Sequence, residues 1–135
     1  MELNRIDHIA IAVENLEDAI AMYEKVFGAR AGHRETVGGY GVEIATIHIG
    51  ETAIELIEGK SPDSPIRKFV EARGPGLHHV AFVVDDIVAA LDEMRAEGVR
   101  LIDEKPRRGK ENSLVAIVHP KATGGVLYEL VQLAE

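Results

Sequence analysis

An internal duplication restricts the folds that this chain can adopt. His8 and Glu55 in the first half correspond to His79 and Glu129 in the second half. The stretches around the histidines align without a gap at an offset of 71 residues, and those around the glutamates align at an offset of 74. A half of about 60 residues with one helix would leave one sheet face bare, so the two halves must share a core. The repeat therefore predicts two paired modules.

The first module has the predicted order βαβββ. A strand with alternating apolar residues surrounds His8, and the following helix begins after Asn15 and ends at Gly28. Three further strands are predicted at 31–36, 42–49 and 52–57, with turns at Gly38-Gly39 and Gly50-Glu51.

The second module repeats this order. A strand surrounds His79, and its helix begins after Asp86 and ends at Gly98. Strands are predicted at 100–103, 114–119 and 126–133, and a short helix at 66–73 joins the modules. The sequence thus predicts an α+β fold in which two paired βαβββ modules form a curved mixed sheet around a cleft. One domain spans 1–135, with module one at 4–60, a linker helix region at 61–75 and module two at 76–135.

Both histidine strands have one bulky face and one face of small residues. His8 shares its face with Ala10 and Ala12, and isoleucine and valine side chains occupy the opposite face. The strand around His79 is divided in the same way. The bulky face suits packing under a helix, while the small face leaves room for something that is not protein. The histidines are therefore expected to face the cleft.

Two histidines and two glutamates at matching positions fit a divalent metal ion. Because the chain has no cysteine, any metal must be held by nitrogen and oxygen ligands. Zn, Co, Mn, Ni and Fe(II) are all compatible, and the sequence does not choose among them. Glu55 and Glu129 each interrupt an apolar strand, where an unpaired carboxylate is costly to bury. A metal would offset that cost, and so would an Arg or Lys partner.

Three other polar residues are weaker candidates for the site. Glu43 points either to solvent or into the cleft, and in the cleft it could act with Glu129 in a two-base proton transfer. His119 is either structural or lines the ligand site. His78 falls on the opposite strand face from His79, which makes it a weaker ligand candidate.

Composition indicates a soluble cytoplasmic protein that does not bind nucleic acid. Hydrophobic residues make up 46% of the chain and charged ones 28%, with no apolar run of the roughly 20 residues that span a membrane. The first residues lack the apolar stretch of a secretion signal. The net charge of -8 argues against phosphate-backbone binding. Arg107, Arg108 and Lys110 form either a solvated basic loop or a local site for a small anion.

Two stretches beyond the paired strands mark a more specific resemblance. They are the linker Asp63-Ser64-Pro65-Ile66 and the segment from His119-Pro120-Lys121 to Gly125-Val126-Leu127-Tyr128-Glu129-Leu130. The chain resembles the vicinal oxygen chelate superfamily, also called glyoxalase/bleomycin resistance/dioxygenase, over nearly its whole length. These two stretches are similar to the methylmalonyl-coenzyme A epimerase family within that superfamily.

The resemblance implies a metal-dependent epimerase of propionate metabolism. It would interconvert (2R)- and (2S)-methylmalonyl-CoA by proton transfer through a metal-stabilised enediolate. The implied metal ligands are His8, Glu55, His79 and Glu129, where Glu55 replaces the Gln of some family members. The implied bases are Glu129 and Glu43. The implied cofactor is one divalent ion, Co²⁺ first with Zn²⁺, Mn²⁺ or Ni²⁺ as alternatives, and the implied assembly is a homodimer that binds an acyl-CoA substrate.

Three related functions compete with this interpretation. A lactoylglutathione lyase-like isomerase shares the fold and metal but needs a glutathione site, which nothing in the sequence marks. An Fe(II) dioxygenase needs two His and one carboxylate with open positions, and the fourth ligand Glu55 argues against it. A metal-free ligand-binding module of the same fold would not need the matched His and Glu set.

Overall fold

A computed structural model describes residues 1–37 and 41–135, which form two compact units. The first unit joins Met1–His8 to His79–Glu135, and the second is the continuous segment Ile9–His78. The turn expected at Gly38-Gly39 lies outside the described residues.

The second unit contains antiparallel strands and two helices. Strands β2, β3 and β4 pair in that order, all antiparallel, and the end of β1 follows β4. The elements are β1 (Arg5–Ala12), which begins in the first unit, α1 (Leu16–Phe27), β2 (His33–Val37), β3 (Val42–Ile49), β4 (Thr52–Gly59) and α2 (Pro65–Arg73). The predicted bounds of β3 match those observed, and β4 continues two residues beyond its predicted end.

The first unit contains a mixed set of strands and one long helix. The strand order is β1-β5-β8-β7-β6, with β5 and β8 parallel and the pairs β8–β7 and β7–β6 antiparallel. The elements are β5 (Gly76–Val83), which begins in the second unit, α3 (Ile87–Ala96), β6 (Arg107–Arg108), β7 (Leu114–Val118) and β8 (Tyr128–Gln132). The predicted α+β class and the mixed strand arrangement are confirmed.

The predicted helix starts are set by side-chain caps. The Asn15 side chain accepts a hydrogen bond from Asp18 N at 2.9 Å, and the Asp86 side chain accepts one from Ala89 N at 3.0 Å. These bonds satisfy amide groups that have no partner within the first turn. At the other end of α1, Gly28 takes the left-handed conformation that commonly terminates a helix.

The small strand face expected to leave room for a ligand is filled at one end by protein. Ala10 and Ala12 are fully buried and pack with Ile44 and Ile57 of the neighbouring strands and Ile66 of α2. The prediction of open space was therefore wrong at these two alanines, because α2 covers them. The bulky face behaves as expected, since its side chains pack against α1.

The core of the first unit lies between α3 and the strands β7 and β8. Ile87 and Leu91 of α3 are buried against Ala116 and Leu130. The side chain of Gln132 on β8 accepts a hydrogen bond from Ile87 N at 2.9 Å, which ties the start of the helix to the strand. None of the helices in the described parts of the chain is long and apolar enough to cross a bilayer.

The strand predicted at 100–103 is replaced by an irregular segment beside β7. Only Leu101 forms a regular bridge, to Val118, while Ile102 N and Asp103 N both donate to the Ile117 carbonyl. The Asp103 carboxylate accepts from Ile117 N at 2.8 Å. A side chain thus occupies the place of a backbone carbonyl in the ladder, and the short strand β6 forms farther along the chain instead.

Candidate metal centre

Three of the four predicted metal ligands converge within the first unit. His8 lies on β1, His79 on β5 and Glu129 on β8. The parallel register pairs Glu129 with Ala81, and His79 stands two residues before Ala81 on the same strand face. Diagonal neighbours of this kind are within reach of long side chains. The pairing of β5 and β8 therefore brings the carboxylate to the imidazole.

The three donor atoms form a compact triangle. His8 Nε2 lies 3.1 Å from His79 Nε2, and Glu129 Oε1 lies 3.5 Å from His8 Nε2 and 4.0 Å from His79 Nε2. The point in their plane that is equidistant from all three is about 2.1 Å from each, which is the bond length of Zn²⁺ and similar ions to such ligands. The donor set and its spacing fit a first-row divalent cation.

The site is largely buried, which makes its charges costly without a partner. His8 is 6% exposed and Glu129 is 9% exposed. Two imidazole lone pairs and a carboxylate oxygen at these distances repel one another unless a proton or a cation lies among them. A divalent cation supplies that compensation, and it takes the neutral form of each histidine.

Asp7 contacts the ring nitrogen of His8 that lies away from the donor triangle. Asp7 was not among the site residues predicted from the sequence. Asp7 Oδ2 lies 2.7 Å from His8 Nδ1. The hydrogen bond from His8 lowers the pKa of Asp7, the positive charges of Arg5 and Lys110 act in the same direction, and burial opposes them. Adjacent side chains on a strand usually point to opposite faces, so strand alternation does not predict this bond.

The fourth predicted ligand, Glu55, lies on β4 of the second unit. It is 4% exposed and stands opposite Thr46 of β3, which is fully buried. A carboxylate at this depth requires a compensating partner. Its role as a metal ligand stays a prediction.

Glu43, the predicted second base, contacts two basic side chains of the second unit. Its carboxylate accepts a hydrogen bond from Arg34 and lies 3.8 Å from Lys60 Nζ. The hydrogen bond from Arg34 lowers the pKa of Glu43, and the charge of Lys60 adds to this effect. The side chain is 24% exposed, and its role as the second base stays a prediction.

Two arginines of the predicted basic cluster contact neighbouring polar side chains. Arg107 Nε lies 3.3 Å from the Asp103 carboxylate, and Arg108 donates to the Asn112 side chain. Lys60, which is isolated in the sequence, forms an ion pair with Glu58 at 3.2 Å in addition to its contact with Glu43.

The remaining histidines with alternative roles have local structural contacts. His119 Nδ1 accepts from Lys121 N at 3.1 Å, where it caps the 3-10 turn Pro120–Thr123. The His78 ring packs edge-on against Phe69 at a centroid distance of 4.9 Å. Burial lowers the pKa of His78, and the charge of Arg73 adds to it.

Comparison with known proteins identifies the family of this chain. Residues 7–117 match the model of the Glyoxalase/Bleomycin resistance protein/Dioxygenase superfamily. The ethylmalonyl-CoA/methylmalonyl-CoA epimerase of Cereibacter sphaeroides is 36% identical over 97% of this chain and 99% of its own length. The human mitochondrial methylmalonyl-CoA epimerase is 36% identical over 96% of this chain and 74% of its own length.

Solved structures give the same result at the level of the fold. The methylmalonyl-CoA epimerase of Mycobacterium tuberculosis aligns with a TM-score of 0.92 at 37% identity, over 98% of this chain and 90% of that one. A variant of the Streptomyces coelicolor epimerase in complex with 2-nitronate-propionyl-CoA aligns with a TM-score of 0.93 at 36% identity, over 98% and 96% of the two chains. The chain therefore belongs to the Glyoxalase/Bleomycin resistance protein/Dioxygenase superfamily and, within it, to the methylmalonyl-CoA epimerase family.

Proposed function

We propose that this chain interconverts (2R)- and (2S)-methylmalonyl-CoA with a divalent cation held by His8, His79, Glu129 and Glu55. The observation that carries the proposal is the triangle of the first three donor atoms, whose common centre is at metal-bond distance. Relatives named as methylmalonyl-CoA epimerases support the substrate, and so does a similar solved epimerase in complex with methylmalonyl-CoA.

The chemical problem is the weak acidity of the substrate C–H between its thioester and its carboxylate. His8, His79, Glu129 and Glu55 would hold a cation, which would supply electrostatic stabilisation for the negative charge that develops on the substrate oxygens as an enediolate forms. Glu129 takes this proton from one face of the carbon. An acid on the opposite face returns a proton and inverts the centre.

We assign the opposite-face residue to Glu43, which returns a proton when Glu129 is the base and removes one when the reaction runs in reverse. Its contact with Arg34 favours the deprotonated carboxylate, which is the form that acts as the base. To return a proton Glu43 must first be protonated, and the Arg34 contact opposes this. The same contact weakens it as a base, because a lowered pKa reduces the driving force for proton transfer. The proposal therefore requires the Arg34–Glu43 contact to loosen when the substrate binds.

The cofactor and setting are proposed from family resemblance. Two imidazoles and two carboxylates accept Co²⁺, Zn²⁺, Mn²⁺ or Ni²⁺, and we place Co²⁺ first. We also propose a cytoplasmic homodimer that acts in propionate metabolism. Elemental analysis of the purified protein tests the identity of the metal, and its mass in solution tests the homodimer.

Deuterium exchange at the central carbon tests the base assignments. In D₂O with Co²⁺ added, the wild type should exchange the central proton of methylmalonyl-CoA, as followed by ¹H NMR. Glu129→Gln should abolish exchange because it removes the base. Glu43→Gln should retain exchange from one epimer and lose epimerisation, since only one face keeps its base.

Glu97→Gln is the matched control for both variants. Glu97 is exposed at the end of α3, and its substitution removes the same charge away from the donor triangle. Exchange at the wild-type rate in Glu129→Gln would remove Glu129 as the base. Activity on the hemithioacetal of methylglyoxal and glutathione, with none on methylmalonyl-CoA, would instead support the lactoylglutathione lyase-like function. A protein that binds no cation would support the metal-free module.

A further inference from the structure

The geometry points to Asp7 as a positioning residue that fixes the tautomer and direction of His8, and this inference rests on the proposed cation site. Asp7 Oδ2 and His8 Nδ1 are 2.7 Å apart, at the short end of the range for hydrogen bonds of this kind. Asp7 would act through His8, whose Nδ1 it contacts.

The hydrogen bond determines which nitrogen of His8 is free. An ionised carboxylate only accepts hydrogen bonds, so Nδ1 of His8 must carry the proton. In a neutral imidazole this leaves the lone pair on Nε2. Nε2 is the atom that lies 3.1 Å from His79 Nε2 and 3.5 Å from Glu129 Oε1. One ring nitrogen is therefore anchored while the other points into the donor triangle.

The charge of Arg5 supports the ionised form of Asp7. Arg5 Nη1 lies 3.7 Å from Asp7 Oδ1, beyond hydrogen-bond distance, and its positive charge lowers the pKa of Asp7, while Oδ2 takes the bond from His8. The Asp7 side chain is 21% exposed, so solvent competes only partly for these contacts. The hydrogen bond to Oδ2 restrains the imidazole.

The second half of the repeat has no equivalent of the Asp7 carboxylate. The position equivalent to Asp7 in the second half is His78, which packs against Phe69 and is not a carboxylate. Of the two repeat histidines, His8 is preceded by a carboxylate residue and His79 is not. Carboxylate partners of this kind orient ligating histidines, and their removal typically lowers metal affinity about 10–100-fold.

Cation affinity and His8 tautomer test the role of Asp7 separately from activity. The dissociation constant for Co²⁺ is measured by competition with a chromophoric chelator for the wild type, Asp7→Ala and Asp7→Asn. We expect it to rise about 10–100-fold in Asp7→Ala. Asp7→Asn should have a smaller effect, since its amide oxygen still accepts a hydrogen bond. Asp92→Asn is the control, because it removes the same charge from an exposed pair with Arg95.

The second measurement uses protein without metal. ¹⁵N NMR of the imidazoles above pH 8 should find the His8 proton on Nδ1 in the wild type and distributed over both nitrogens in Asp7→Ala. A proton on Nε2 in the wild type, or an unchanged Co²⁺ affinity in Asp7→Ala, overturns the inference. If the wild type binds no cation, the proposed site fails, while the tautomer still decides whether Asp7 orients His8. If Asp7→Ala does not fold, Asp7→Asn carries both measurements.

Discussion

The pKa values of Asp7 and Glu43 are lowered by the basic or imidazole side chains that they contact. Glu43 shows this most clearly, since Arg34 and Lys60 both lie against its carboxylate. Arg34 also pairs with Glu17 of α1 at 2.5 Å, so it bridges a strand and a helix. The pKa of Arg34 is raised by these two carboxylates, with Glu43 the larger contribution.

Removing the Arg34 charge should raise the pKa of Glu43. In the wild type the Glu43 carboxyl should titrate below its ordinary value of 4.5, and in Arg34→Gln it should move up toward that value. A lowered folded-state pKa means that the pair contributes to stability at neutral pH, and that this contribution is lost as pH falls through the folded value. ¹³C NMR of the glutamate carboxyls measures the shift. Lys60→Gln should move the pKa less, and an equal or larger effect would contradict the ranking.

The repeat predicted that His8 and His79 meet, but it did not predict the contacts of Glu43. The 71-residue offset paired His8 with His79, and the two imidazoles do lie together. The Arg34–Glu43 contact depends on the register of β2 and β3, which pairs Thr36 with Glu43 and leaves Arg34 diagonal to it. Strand register follows from turn geometry and neighbouring packing, and neither is readable from the local sequence here.

At the scale of elements, helix starts were predictable because their chemistry is local. The caps of α1 and α3 need only a side-chain oxygen three residues before a free amide. The segment 100–103 was predicted wrongly because its hydrogen bonds to Ile117 include one from the Asp103 side chain. Alternation of apolar residues cannot distinguish a ladder of backbone bonds from one completed by a carboxylate.

The junction between β4 and α2 provides a test of packing at this scale. A Cβ at Gly59 would lie 2.5 Å from Ser64 Oγ and 2.6 Å from Arg67 N. Ser64 caps α2, so Gly59→Ala must displace either the cap or the helix backbone. We expect a loss of about 1–3 kcal/mol in the free energy of unfolding, measured by urea denaturation.

Gly32→Ala is the control for this substitution. A Cβ at Gly32 has only His48 Cδ2 nearby, at 4.0 Å, so its effect should be within about 0.5 kcal/mol. Equal losses in the two variants would mean that loss of glycine itself, and not the close approach at Gly59, sets the cost.

At the scale of the whole molecule, a bound cation should couple the site to global stability. A ligand that binds only the folded state at 100 times its Kd raises the free energy of unfolding by about 2.7 kcal/mol. Calorimetry with Co²⁺ should therefore find a higher Tm than after chelation. His8→Ala should lose this increase, whereas His48→Ala, an exposed histidine on β3, should keep it. An increase that persists in His8→Ala would place the bound ion elsewhere.

One consequence concerns the order in which the protein is made. The second unit is continuous in sequence, from Ile9 to His78, whereas the first combines residues 1–8 with strands that follow the second unit, including β8. His8 is therefore translated before the second unit and Glu129 after it. Capture of a cation by the complete donor set must wait until the whole second unit has been translated.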